Sequence, residues 1–133
     1  MKKTEPIAVL LNGADGKMGR AIERLSTQHP EYGLMIASRR ESDGQTGSLA
    51  PFDVVIDFST PQGAQEAFLL AKKYKKPFLT GTTNLPELFL FKLQSEEKIP
   101  VFYAPNVSLS VYFFTELVRQ ACQIFRQVFQ KFS

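Results

Sequence analysis

Five short apolar runs recur along the chain, and between them the apolar residues fall at helical spacing. The runs 7–11, 34–37, 54–58, 78–80 and 101–103 predict strands. A brief apolar stretch bounded by turn formers is the mark of a strand covered on both sides. Residues 18–28 predict a helix with Ile22 and Leu25 on one face. Residues 64–74 continue a helix that Ser59 or Thr60 caps and Pro61 opens, and 86–97 predict another. A last helix runs to about Phe132, with Ser108 as its candidate cap. The segment 41–50, rich in Gly, Ser and Asp, is the most loop-like.

Strands alternating with helices of this length make βαβ units, whose right-handed crossovers lay the strands parallel. The expected fold is α/β: a Rossmann-like, doubly wound parallel sheet in three layers. No internal repeat or low-complexity stretch interrupts it.

Composition narrows the class. A chain of 133 residues, 44% hydrophobic and 22% charged, reads as one globular domain. No apolar run approaches the roughly 18–20 residues that cross a bilayer, so no membrane partner is expected. The opening lysines and apolar stretch imitate a signal peptide. That stretch stops after about six residues at Asn12 and Gly13 without a small-residue cleavage site, so it reads as the first strand. The net charge of +3 is mild. Lys72, Lys73, Lys75 and Lys76 suit the wet end of a helix better than a nucleic-acid stripe, so no nucleic acid is expected. Cys122 is the lone cysteine; an internal disulfide is impossible and a reducing cytoplasm is the natural home.

A parallel sheet takes its ligands beyond the carboxyl ends of its strands, so the residues that close each run carry the chemical information. After the first run comes Gly13-x-x-Gly16-x-x-Gly19, within NGADGKMGR. The first glycine permits a tight turn, the second lets backbone approach a phosphate, and the third lets the helix lie on the strand. The freed amides and the positive end of the helix then face an anion. The spacing is a variant of the commoner G-x-G-x-x-G, and an ordinary glycine-rich turn is the competing reading. Asp15 reads as a turn former and Lys17 as solvated; neither is assigned chemistry from the residues alone.

After the second run stand Ser38, Arg39 and Arg40, where a free ribose 2′-hydroxyl is usually met by Asp or Glu. Two guanidiniums suit a 2′-phosphate, because arginine presents a planar donor fork. This favours NADPH over NADH, with Glu41 available as the acid if the register slips by a residue or two. Simple solvation of both arginines is the alternative. Phe58 and Ser59 close the third run and either border the cleft or lead into the helix cap. Gly81, Thr82 and Thr83 set open backbone and two hydroxyls at the mouth of the sheet. Ala104, Pro105, Asn106 and Val107 follow the fifth run. A proline-stiffened turn presenting an amide suits a carboxamide such as that of nicotinamide, against a plain capping role for Asn106 or Ser108.

With all five strand ends considered, the chain resembles the amino-terminal domain of the dihydrodipicolinate reductase family, oxidoreductases of lysine and diaminopimelate biosynthesis. The resemblance runs through nearly the whole chain in order: GADGKMGR, DVVIDFSTP, GTT and VFYAPNVSLSV each resemble a family segment. It implies that Gly13, Ala14, Asp15, Gly16, Lys17 and Met18 hold a pyrophosphate. It also implies that Gly81, Thr82 and Thr83 line the cofactor cleft, and that Ala104, Pro105, Asn106 and Val107 lie beside the nicotinamide. Arg39 stands where many members carry the ribose-binding acid, with Arg40 next, a departure that leans toward NADPH. Asn84 replaces a usual glycine, and Ser110 and Tyr112 replace a usual Gly and Asn.

On this resemblance 1–133 is a dinucleotide-binding domain ending in a linking helix at about 109–132. A cyclic dicarboxylate substrate would be bound and protonated by a second domain, whose His-His…Lys…Pro-Ser-Gly-Thr segment this chain does not contain. His29, the only histidine, precedes Pro30 and reads as a surface residue. No catalytic residue and no metal ligand is assigned, and the isolated chain is expected to be inactive.

The last helix bears Phe113, Phe114, Leu117, Val118, Ala121, Ile124, Phe125, Val128, Phe129 and Phe132, apolar around much of its girth. A helix on one domain usually shows a single apolar stripe, and each exposed phenylalanine forgoes about 2–3 kcal/mol of burial. A second partner is expected, from a further domain or from another copy in a homo-oligomer. A different functional class is a non-catalytic NAD(P)-sensing domain. The short-chain dehydrogenases with similar glycine spacing need Tyr-x-x-x-Lys, and none of Tyr32, Tyr74, Tyr103 or Tyr112 has lysine four residues on.

Overall fold

Strands alternate with helices in the computed structural model, except that no helix separates the second strand from the third; the structure describes residues 5–44, 46–106 and 108–132. The order is β1 (Ile7–Asn12), α1 (Lys17–Gln28), β2 (Leu34–Arg40), β3 (Val54–Asp57), α2 (Pro61–Tyr74), β4 (Phe78–Thr80), α3 (Glu87–Gln94), β5 (Val101–Tyr103) and α4 (Leu109–Phe132). A 3-10 turn at Pro30–Tyr32, not expected from the pattern, joins α1 to β2. The five strands form one parallel sheet in the order β2-β1-β3-β4-β5. The order reverses between β1 and β3, which is where open α/β sheets make their binding crevice.

Apolar residues at alternate positions of each strand divide between two cores. Leu10, Val55 and Phe78 face α2 and α3, meeting Ala64, Ala67, Phe68, Ala71, Phe89 and Leu93. Phe68 sits between Phe78 and Phe89, with ring centroids 5.4 and 5.6 Å away. Val9 and Leu11 face the other way, with Ile36, Val54, Ile56 and Ile22 of α1. This is the doubly wound, three-layer arrangement, built because strands apolar on both faces need cover on both.

Boundaries moved where polar side chains found partners. The second strand, expected to end at residue 37, continues through Arg40. The register passes from Val9↔Ile36 to Leu10↔Ser38, so Ala37 is an extra residue in β2, and a bulge of this kind re-aims the side chains beyond it. Thr60, rather than Ser59, caps α2: its Oγ1 accepts from Gly63 N at 3.0 Å. Helix α3 is shorter than expected at both ends, and Ser95 Oγ donates to Phe91 O at 2.8 Å just past its last turn.

Two apolar surfaces lie uncovered. Phe102, on the face of β5 opposite Val101, is 61% exposed. Along α4, the described side chains from Val111 to Val128 are exposed apart from half-buried Glu116. They include Phe113, Phe114, Leu117, Ile124 and Phe125.

Candidate functional site

A row of polar side chains underlies the rim on which the strands end. Asn12 pairs in register with Arg40 on one side and Asp57 on the other, and Asp57 pairs with Thr80. Alternation along each strand puts the row on the α2 face, one step beyond Leu10, Val55 and Phe78. Asn12, Asp57 and Thr80 are wholly buried and Arg40 nearly so.

Buried polar groups persist when partnered, and these partner one another. Asn12 Nδ2 donates to Asp57 Oδ1 at 2.7 Å, Ser59 Oγ at 2.9 Å and Gly63 O at 3.1 Å. Ser59 Oγ donates to Asp57 Oδ1 at 2.5 Å, and Thr80 Oγ1 and Thr82 Oγ1 donate to Oδ2 at 2.6 and 2.7 Å. Arg40 Nη1 donates to Asn12 Oδ1 at 2.8 Å, while Nη2 pairs with Glu66 of α2. That donated bond, seconded by Gln62, holds the Glu66 carboxyl below its ordinary range. Among the described residues no buried side-chain nitrogen or oxygen lacks a partner.

The glycine turn rests on this floor. Gly13 has φ +79°, and a Cβ there would stand 2.2 Å from Phe58 O; a Cβ on Gly19 would stand 2.1 Å from Gly13 O. The expected roles of these two glycines, turn and close helix approach, are what the backbone shows. Gly13 N and Ala14 N both donate to Arg40 O, at 2.8 and 3.2 Å, and both residues are buried. The outward rim is therefore Asp15, half-buried Gly16, Lys17 and Met18. No side chain caps α1 and its first turn holds no acid, which leaves its leading amides without an intrahelical acceptor. The Asp15 carboxylate is tied to Ser42 instead, accepting from its N at 2.8 Å and its Oγ at 2.7 Å. The Ser42 hydroxyl and amide lower the Asp15 pKa. A bare-backbone cradle of this kind fits a pyrophosphate, because its donors are amides and its one acid is bound elsewhere.

The arginines after the second run part company. The expectation of two surface guanidiniums is corrected: alternation turns Arg40 inward onto Asn12 and Glu66, and Ser38 is buried with its Oγ accepting from Ala50 N at 2.9 Å. Arg39 points outward, 48% exposed, with Nε 3.2 Å from Glu23 and Nη2 3.6 Å from Glu41. Thr82 is corrected likewise. Its hydroxyl does not stand at the mouth of the sheet but is buried, donating to Asp57 and accepting from Ser59 N at 2.9 Å.

Thr83 is exposed, and Gly81 lies under the Phe58 ring, which would sit 2.1 Å from an added Cβ. Asn84 adopts φ +57°, a conformation that glycine takes without strain. Ala104 is half-buried; Pro105 and Asn106 are exposed, and Asn106 Oδ1 accepts from Ser108 N at 3.0 Å. This leaves its amide hydrogens to donate. Val107 lies outside the described residues. His29 pairs with Glu31 on the surface. Among the described residues no three His, Cys, Asp or Glu cluster as metal ligands, and no helix is long and apolar enough to cross a membrane.

Asn12, Asp57 and Thr80 were not singled out from the sequence. Their signal was present, since three apolar strands each end on a polar residue at the same register.

A parallel sheet whose first strand passes through a glycine turn into an uncapped helix, where the strand order reverses, defines a Rossmann-like nucleotide-binding domain. The family model described as dihydrodipicolinate reductase, N-terminus, matches residues 7–107, and the chain belongs to that family. It is 38% identical over 132 residues to a 4-hydroxy-tetrahydrodipicolinate reductase of Xanthomonas campestris pv. campestris (strain B100), covering 89% of this chain and 56% of that protein. It is 37% identical over 122 residues to the protein of that name from Campylobacter jejuni subsp. jejuni serotype O:23/36 (strain 81-176), covering 90% and 50%. The chain thus spans about half the length of the curated relatives it matches.

Proposed function

We propose that this chain supplies the NAD(P)H site of a 4-hydroxy-tetrahydrodipicolinate reductase, acting in lysine and diaminopimelate biosynthesis on a cyclic dicarboxylate. The observation that carries the reading is the cradle at residues 13–18, in a chain whose family match spans 7–107. A bound nicotinamide dinucleotide supplies hydride; the part of this chain is to place and orient it. Lys17 and Met18 offer backbone amides to the pyrophosphate. Gly16, whose N donates to Gly13 O at 3.1 Å, gives it close approach over the floor of Gly13 and Ala14, and Asp15 stays with Ser42. Gly81, Thr83, Ala104, Pro105 and Asn106 border the nicotinamide end, and the Asn106 amide donates to its carboxamide. No proton donor for the substrate is assigned in this chain, and we expect the 133 residues alone to bind dinucleotide without turnover.

Arg39 alone presents a guanidinium for a 2′-phosphate, and Glu41 beside it accepts from a free ribose hydroxyl. Both cofactors therefore bind, NADPH the more tightly. The test is fluorescence titration of both reduced dinucleotides against the chain and its Arg39→Ala variant. Charge-assisted bonds contribute about 1.5–3 kcal/mol, so NADPH affinity should fall about tenfold or more, with NADH little changed. Equal NADPH affinity in the variant refutes the phosphate role. No binding of either cofactor by the parent chain refutes the site.

A further inference from the structure

The polar row ties together the turns that the dinucleotide reading uses. Asn12 leads straight into Gly13. Thr82 Oγ1 accepts from Ser59 N and donates to Asp57 Oδ2, so one hydroxyl joins the turns after β3 and β4. Thr80 Oγ1 donates to Asp57 and accepts from Thr82 N at 3.2 Å. Phe58, the residue after Asp57, spaces both neighbours: its carbonyl lies against Gly13 and its ring against Gly81. Its own N donates to Asn12 O at 3.0 Å, and Gly81 N donates to Asp57 O at 2.9 Å.

Only a carboxylate does this. Asn12 Nδ2 and the hydroxyls of Ser59, Thr80 and Thr82 converge on Asp57 as donors, and an ionised carboxylate is acceptor-only at both oxygens. For stability alone, continuing the apolar row would serve at least as well, because a buried charge is desolvated. A fully connected buried network specifies one arrangement.

We propose that Asp57, with Asn12 and Thr80, is a positioning device for the dinucleotide site, holding the turns after β1, β3 and β4 in binding geometry before ligand arrives. The proposal rests on the dinucleotide reading above. The ordering entropy of those turns is then met on folding and not on binding. Thr80 is the cleanest probe, being wholly buried and assigned no cofactor contact.

The experiment titrates NADPH against the 133-residue chain and its Thr80→Val, Thr80→Ser and Phe89→Leu variants, with thermal unfolding recorded for each. Phe89 packs in the α2–α3 core and reports what general destabilisation does. Thr80→Val, which loses both bonds at unchanged shape, should bind about tenfold more weakly. Thr80→Ser restores the hydroxyl and should stay within about twofold of the parent, as should Phe89→Leu despite its lower melting temperature. Parental affinity in Thr80→Val, or an equal loss in Phe89→Leu, overturns the positioning role while leaving the dinucleotide site standing. Absence of binding by the parent overturns both.

Amide hydrogen exchange on the unliganded parent keeps the idea testable if Thr80→Val does not fold. The amides of Phe58, Ser59, Gly81 and Thr82 should be protected before NADPH is added, whereas Lys17 and Met18 gain protection only with it. Exchange at Ser59 and Thr82 as fast as at Lys17 overturns the proposal.

Discussion

Replacing Gly13 and Gly16 separately with alanine distinguishes the part of the turn that folding requires from the part that binding requires. At Gly13 the backbone has φ +79°, a conformation that costs an L side chain about 1–2 kcal/mol. The new Cβ would stand 2.2 Å from Phe58 O and 2.7 Å from Phe58 C, so one strand end must retreat by about 1 Å to reach an ordinary carbon contact. Neither yields easily: Gly13 N is bonded to Arg40 O and Phe58 N to Asn12 O. Overpacking of this kind adds about 1–3 kcal/mol, giving about 2–5 kcal/mol from a total of about 5–15. At Gly16 the backbone has φ −78°, and the nearest atom to an added Cβ is Gly13 O at 3.3 Å. Gly16→Ala should therefore shift stability by less than about 1 kcal/mol, yet weaken NADPH at least tenfold by placing a methyl where phosphate approaches. Urea unfolding followed by far-ultraviolet circular dichroism reads the first effect, and NADPH fluorescence reads the second. A Gly13→Ala chain within 1 kcal/mol of the parent refutes the packing argument. Parental NADPH affinity in Gly16→Ala refutes the phosphate cradle.

Side chains away from the turn give two more expected outcomes. Glu66 titrates below its ordinary 4.5 because Arg40 donates to it, so its contribution is present above that value and disappears as pH falls through the lowered one. Glu66→Gln should be less stable than the parent by about 1 kcal/mol at pH 7, discounted for the partial exposure of Glu66, and the two stabilities should converge as pH falls through the lowered Glu66 value. Parallel curves would contradict this. Along α4, Phe114 and Leu117 are each 67% exposed, and burying such side chains is worth about 1.5–3 kcal/mol each. The 133-residue chain should self-associate in sedimentation equilibrium, more weakly after Phe114→Glu, whereas a sharp monomer at high concentration would contradict the prediction.

The strands, their order in sequence and the glycine turn were legible because each rests on local rules. A strand covered on both faces is apolar along most of its length, and glycine takes φ +79° at Gly13 without the strain of a side chain. The arginines were not legible. Whether Arg39 or Arg40 faces out depends on the bulge at Ala37 and on strand parity, both set by pairing with β1. Thr82 was read by chemical type alone, and its neighbours in space, Asp57 and Ser59, lie 25 and 23 residues away in the chain.

By itself the sequence determined the class of fold, the crevice end of the sheet and the kinship that the family match bears out. Hydrophobic periodicity and backbone sterics act over a few residues, and one chain suffices to display them. The tertiary structure alone decided which polar side chains point outward and which turn inward beneath the strand ends. A buried carboxylate with four donors exists only once β1, β3 and β4 are brought into register, and that long-range pairing is what sets Asn12, Asp57 and Thr80 beneath the site.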